Sequence, residues 1–146
     1  MYELIKNLHS YWAYLVLFTV LLAVINAFAG LFGKKEYSAK AFRIALFTLI
    51  VTHIQFLIAL ILYFVSPMFD MWGEMGGEVM KSSAVRLYLV EHPLVNIIAV
   101  ALITVGYSKH KKKLTSAPKY KTIAIFYTIA LLLLLSRIPW DVWPRF

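Results

Sequence analysis

AFRIALFTLIVTHIQFLIALILYFV, residues 41–65, decides the fold. After Arg43 it holds no Asp, Glu, Lys or Arg, and it stops at Ser66-Pro67. A helix rises about 1.5 Å per residue and the hydrocarbon core of a bilayer is about 30 Å thick, so about 20 apolar residues cross it. This run is long enough. Working outward, three more runs qualify: 11–32 with a short amphipathic lead-in from Met1, 85–107, and 122–138, which stops at Pro139. The expectation is an all-α integral membrane protein, one domain over 1–146, with helices at about 8–32, 41–65, 85–107 and 122–138. Composition agrees: 62% of residues are hydrophobic and 15% charged. A soluble domain runs at about 45–50% apolar and about 25% charged. The excess must face lipid or another protein. A signal peptide is the other reading of the first run, since Ala27-Phe28-Ala29 resembles a cleavage site; the apolar stretch is too long for that.

Loop charge orients the helices. Ten basic residues fall in the first and third loops: Lys34, Lys35, Lys40, Arg43, Lys109, Lys111, Lys112, Lys113, Lys119 and Lys121. The other side holds Lys6, Lys81, Arg86, Arg137 and Arg145, together with every acidic residue except Glu36. The positive-inside rule puts the basic loops in the cytoplasm and both termini on the non-cytoplasmic side of a bacterial inner membrane. Loops this short favour an up-and-down bundle. Tyr11, Trp12, Tyr14, Tyr88, Trp140 and Trp143 would form the outer aromatic belt. The net charge of +8 is thereby explained by topology, and nucleic acid is not an expected partner. The absence of Cys removes disulfides, thiolate metal sites and cysteine nucleophiles.

Polar side chains at membrane depth are costly and usually face the bundle interior. The informative ones are His9, His53, Gln55, His92, Asn96 and Arg137. His110 lies among lysines and is expected to be solvated. His9 shares a helical face with Ala13, Val16, Val20, Ala23, Ala27 and Gly30, and His92 shares one with Asn96, Ala99 and Gly106. Such small-residue stripes let a helix or a flat ligand approach closely. Counting from the cytoplasmic ends, His53 lies roughly 16 Å up, His92 and Arg137 roughly 22 Å, and His9 roughly 32 Å.

Haem b fits this constellation. Imidazole is an axial ligand for haem iron, a four-helix bundle can hold the ring, and Arg137 suits an anionic propionate. Two ligand pairs compete. His53 with His92 is the better depth match and is preferred; His9 with His92 is the better directional match. A single intramembrane His is often explained by a bond to a neighbouring helix, but three on three helices call for more. The segment between the second and third helices carries Met68, Met71, Met75 and Met80. Burial against lipid or a partner explains them first; soft thioethers for Cu(I) are the alternative.

The segments LHSYWAYLVL, THIQFLIALILYFVSP, EHPLVNIIAVALITVGYSKHKKK and IPW resemble a family of small four-helix membrane proteins of Bacteroidetes labelled cytochrome b-like. The likeness covers nearly the whole chain. Its pattern is a His opening helix one, His-Ile-Gln in helix two and Glu-His in helix three, which correspond here to His9, His53 and His92. More distantly the layout is similar to copper-resistance D-like and protoporphyrinogen-oxidase J-like families. The resemblance implies a haem protein passing electrons between a quinone or membrane redox partner and an acceptor. The alternative is a cofactor-free accessory subunit of a larger respiratory or transport complex. A homo-oligomer is compatible with either.

Overall fold

The computed structural model describes residues 1–144; Arg145, assigned above to the non-cytoplasmic side, lies outside them. Every regular element among the described residues is helical. Four helices are long and apolar enough to cross a membrane: α1 (Tyr2–Phe32), α2 (Ala39–Val65), α3 (Ser83–Lys111) and α4 (Ser116–Ser136). Serine caps mark the starts of α2 and α3. The Ser38 hydroxyl accepts the Ala41 N–H at the start of α2, and the Ser82 hydroxyl accepts the Val85 N–H at the start of α3. Ser66 closes α2, and its hydroxyl accepts from Met68 N as the chain turns at Pro67.

α1 lies against α2 and α4, α3 lies against α4, and α2 touches α3 more lightly. Small residues set the close contacts. Val16, Val20, Ala23, Ala27 and Gly30 of α1 are buried, as the stripe predicted. Gly30 faces the Tyr120 ring and Gly106 faces Phe126, at distances no Cβ would tolerate. Tyr127 of α4 is fully buried and donates to the Ala45 carbonyl at 3.0 Å. The small faces of α1 and α3 therefore receive α4's aromatic side chains. No more than 39% of any span's most apolar window is buried inside the protein. The rest is hydrocarbon surface, suited to lipid.

One end of the bundle is closed by an aromatic cluster. Tyr37, in the loop after α1, packs on Tyr120 at 4.9 Å and on His110 at 5.6 Å. Its backbone N–H donates to the Ser116 hydroxyl at 2.7 Å. Burial, with the Tyr120 and Tyr107 phenols close by, pushes the Tyr37 phenol above its usual range. His110, expected to be solvated, is instead fully buried among Phe42, Tyr107 and Tyr37. The reason is that α3 continues past Tyr107 to Lys111. Lysines are good helix formers whose ammonium groups reach outward while the stem stays put. Position 110 then falls on the inward face with Gly106 and Tyr107.

The segment between α2 and α3 consists of short helical turns, Pro67–Asp70, Met71–Met75 and Gly76–Lys81. It is pinned to the bundle: Val79 is fully buried, and the Trp72 indole donates to the Tyr63 hydroxyl at 3.0 Å. The start of α3 is irregular. Leu87–Glu91 form a π-helical turn immediately before His92-Pro93. Pro93 has no N–H, so it cannot bond the Leu89 carbonyl four residues back. Tyr63 supplies the donor instead, at 2.9 Å.

Candidate functional site

Five of the six polar residues singled out in the spans gather at the end of the bundle where α1 and α3 begin; His53 does not. α1 and α3 run the same way, since His9 meets His92 near their starts while Tyr37 meets His110 near their ends. Helical side chains lean toward the N-terminus of their helix. His9 and His92 therefore lean in the same direction and meet, with ring centroids 6.1 Å apart and planes at 81°.

The expected pairing of His53 with His92 is not the one the fold makes. His53 is exposed on the face of α2, and its Nε2 lies 2.8 Å from the Thr104 hydroxyl. Thr104 is twelve residues further along α3 than His92, which is about 18 Å of helix rise. α2 runs opposite to α3, so the His53 side chain leans away from the end toward which His92 leans. The counted Cα depths, roughly 16 and 22 Å, put the two near each other, but the continuation of α3 to Lys111 and the opposite side-chain directions separate them. The roughly 10 Å depth mismatch between His9 and His92 also shrinks. α3 extends four residues past Tyr107, to Lys111, which adds about 6 Å to the height of His92.

Hydrogen bonds fix the protons of these rings. Thr104 donates its one hydroxyl hydrogen to the Val100 carbonyl at 2.8 Å, so it must accept from His53 Nε2–H. His92 Nδ1 lies 2.8 Å from the Arg137 carbonyl, which can only accept, so the proton is on Nδ1. His92 Nε2 then carries the lone pair. The Asn96 amide sits 3.0 Å from that same Nδ1, so the end facing the N–H is the accepting oxygen. On α2, Gln55 donates to the His9 backbone carbonyl at 2.9 Å. At this end His9 Nδ1, Gln55 Oε1 and the other end of the Asn96 amide are buried without a hydrogen-bond partner, as are Tyr37 Oη, His110 Nε2 and Thr128 Oγ1 elsewhere. Buried polar atoms in proteins are nearly always satisfied, so three beside one another are informative.

Charge surrounds this end. Glu91 accepts from Arg86 Nε and lies 3.6 Å from Arg137 Nε. Arg86 also donates to the Met80 carbonyl at 2.8 Å, tying the loop to the site. Arg137 is partly exposed and its backbone carbonyl orients His92. Trp12 donates to the Val51 carbonyl at 2.9 Å and Trp143 to the Ser10 carbonyl at 3.3 Å, closing the flanks beside His9. The Glu91 bridge and the carbonyl of Arg137 escaped the sequence reading. The Glu-His-Pro sequence was the available signal, because proline forces an irregular turn just before the imidazole.

The donor set suits haem in part. His9 and His92 bring two imidazoles from different helices together, the side chain that ligates haem iron. Among the described residues there is no group of three or more metal-binding side chains. A two-imidazole site serves a metal that brings its other ligands with it, as haem iron does. Deeper in the bundle the fit ends, because Tyr120, Phe126 and Tyr127 fill the small-residue faces. A ring would be held at the His9 end, beside Arg137. No protein-family model, curated protein or solved structure matches this chain.

Proposed function

We propose that the chain is a b-type haem protein of the bacterial inner membrane, in which His9 and His92 would hold the iron. The observation that carries this is the meeting of two imidazoles from α1 and α3 at 6.1 Å, with unpartnered polar atoms around them. The bundle runs up and down, with the lysine-rich loops in the cytoplasm and both termini outside, so the site lies near the outer face. When bound, the haem would supply reversible one-electron chemistry, passing electrons between a quinone or membrane redox partner and an acceptor. The chain's own residues do the rest. The Arg137 carbonyl holds the proton on His92 Nδ1 and leaves Nε2 as the ligating atom. The Arg137 guanidinium suits an anionic propionate. Trp12 and Trp143 restrict water beside His9. His53 has no place in this site.

Reduced-minus-oxidised spectra of the purified protein test this. The wild type and His53→Leu should show the same b-type signal, and His9→Leu and His92→Leu should each lose it. A flat spectrum in gently solubilised wild-type protein, or loss only in His53→Leu, would sink the assignment.

A second reading is supported by one observation. His53 and Thr104 form a polar pair on an exposed part of the α2–α3 face, where lipid alone would be a poor neighbour. A cofactor-free accessory subunit packed on a larger complex, or a homo-oligomer, would cover it. Under that reading a stoichiometric assembly survives purification, Leu at His53 weakens it, and no haem accompanies it.

A further inference from the structure

A groove of about 440 Å³ runs between α1 and α2 at the end opposite the histidine pair. It is lined by Thr19 and Leu22 of α1 and by Lys40, Arg43, Phe47 and Ile50 of α2. From Lys40 to Ile50 is about 15 Å of rise, half of the roughly 30 Å hydrocarbon core, which is the depth of one leaflet.

The wall is apolar in effect although it contains threonines. Thr19 donates to the Val16 carbonyl at 3.0 Å, and Thr48 donates to the Thr19 and Ile44 carbonyls at 3.0 and 2.9 Å. Neither hydroxyl has a hydrogen left to offer a ligand. Phe47 and Ile50 are exposed to the groove's open side. The shape and chemistry suit a hydrocarbon chain.

The mouth is cationic. Lys40 and Arg43 are exposed, and among the described residues neither has a carboxylate within ion-pair distance. They sit in the opening turns of α2, where the helix dipole is itself positive and no acidic residue offsets it. An anion at this position would relieve both the side-chain charges and the dipole. Glu36 is the one acidic residue in the two loops at this end, against ten basic residues.

We propose that this groove binds an anionic phospholipid, one acyl chain lying along Phe47 and Ile50 and the phosphate diester against Lys40 and Arg43. The site needs only that the four helices span a bilayer, and it is independent of the haem assignment.

Native mass spectrometry of the detergent-solubilised protein with equimolar dioleoyl phosphatidylglycerol and dioleoyl phosphatidylcholine tests it. Two basic side chains at the headgroup should give the anionic lipid a preference of roughly tenfold or more. Lys40→Gln with Arg43→Gln should reduce that preference to near parity. Lys112→Gln with Lys113→Gln, which removes the same charge elsewhere at this end, should leave it intact. Glycerol phosphate, a headgroup without chains, should not displace the bound lipid. Equal loss in both double variants would mean diffuse attraction, and displacement by glycerol phosphate would mean the groove is not used. Either result, or no preference in the wild type, overturns the proposal.

Discussion

Replacing Gly106 with Ala tests whether α3 and α4 are packed as tightly as the structure has them. A Cβ at position 106 would stand 2.4 Å from the Phe126 Cβ and 2.9 Å from its Cγ. Ordinary carbon contacts lie at about 3.5–4.0 Å, so the deficit is more than about 1 Å. No rotamer change relieves it, because the Phe126 Cβ is fixed to its own backbone. α3 and α4 must separate instead, and overpacking of this kind costs about 1–3 kcal/mol. Alanine's helix-propensity advantage over glycine, about 1 kcal/mol in water, contributes little here. A span must stay helical in lipid whether or not its neighbours are docked, so the helix persists in the reference state. The expected net effect is a loss of about 1–3 kcal/mol. Reversible unfolding by SDS in mixed micelles, followed by circular dichroism and tryptophan fluorescence, measures it. Gly73→Ala is the control: nothing lies within 4 Å of a Cβ built there. It should stay within about 0.5 kcal/mol of wild type. If Gly106→Ala is equally silent, or Gly73→Ala is equally harmful, the packing argument fails.

Gly30→Ala should also destabilise in the same assay, since its Cβ would lie 2.3 Å from Tyr120 ring carbons. That ring cannot simply swing away, because its hydroxyl donates to the Glu36 carbonyl at 3.0 Å and its face meets Tyr37. Tyr63→Phe should cost more than Tyr127→Phe. The first loses two bonds, to the Leu89 carbonyl and from the Trp72 indole, and the second loses one, to the Ala45 carbonyl. Each neutral bond contributes about 0.5–1.5 kcal/mol, and SDS unfolding of the two variants side by side gives the order.

The four spans were legible because length and hydropathy are properties of a run, insensitive to any one residue. Their ends were less legible for the same reason. α3 reaches Lys111 and α4 begins at Ser116, well before the apolar run at 122, because a helix need not stop where hydrophobicity stops. The buried stripe on α1 was legible because small residues at helical spacing have one packing use. Which imidazoles meet was misread, in part through a specific omission. Rise per residue gives the height of a Cα, but an imidazole reaches several ångströms from it toward the helix N-terminus. On antiparallel α2 and α3 those offsets add in opposite directions and part His53 from His92. On α1 and α3 they cancel and let His9 meet His92.

The same geometry explains which polar residues in a span carry information. A threonine hydroxyl can reach a carbonyl three or four residues back on its own helix, and Thr19, Thr52, Thr104 and Thr122 all do so. Such residues are satisfied wherever the helix is placed, so their presence says little about a site; Thr128 is an exception, buried without a partner. Glutamine and asparagine side chains are poorly suited to that local bond and must find partners across helices, whereas His110 does reach the Tyr107 carbonyl three residues back. Gln55 does so only with its nitrogen, and His9 Nδ1 and the Asn96 amide do not do so at all. Folding thus removes most threonines from consideration and leaves two groups of unpartnered atoms, three around the His9–His92 pair and the Tyr37 hydroxyl with His110 Nε2 at the opposite end. The functional reading rests at the His9–His92 end because there two imidazoles from different helices meet as well.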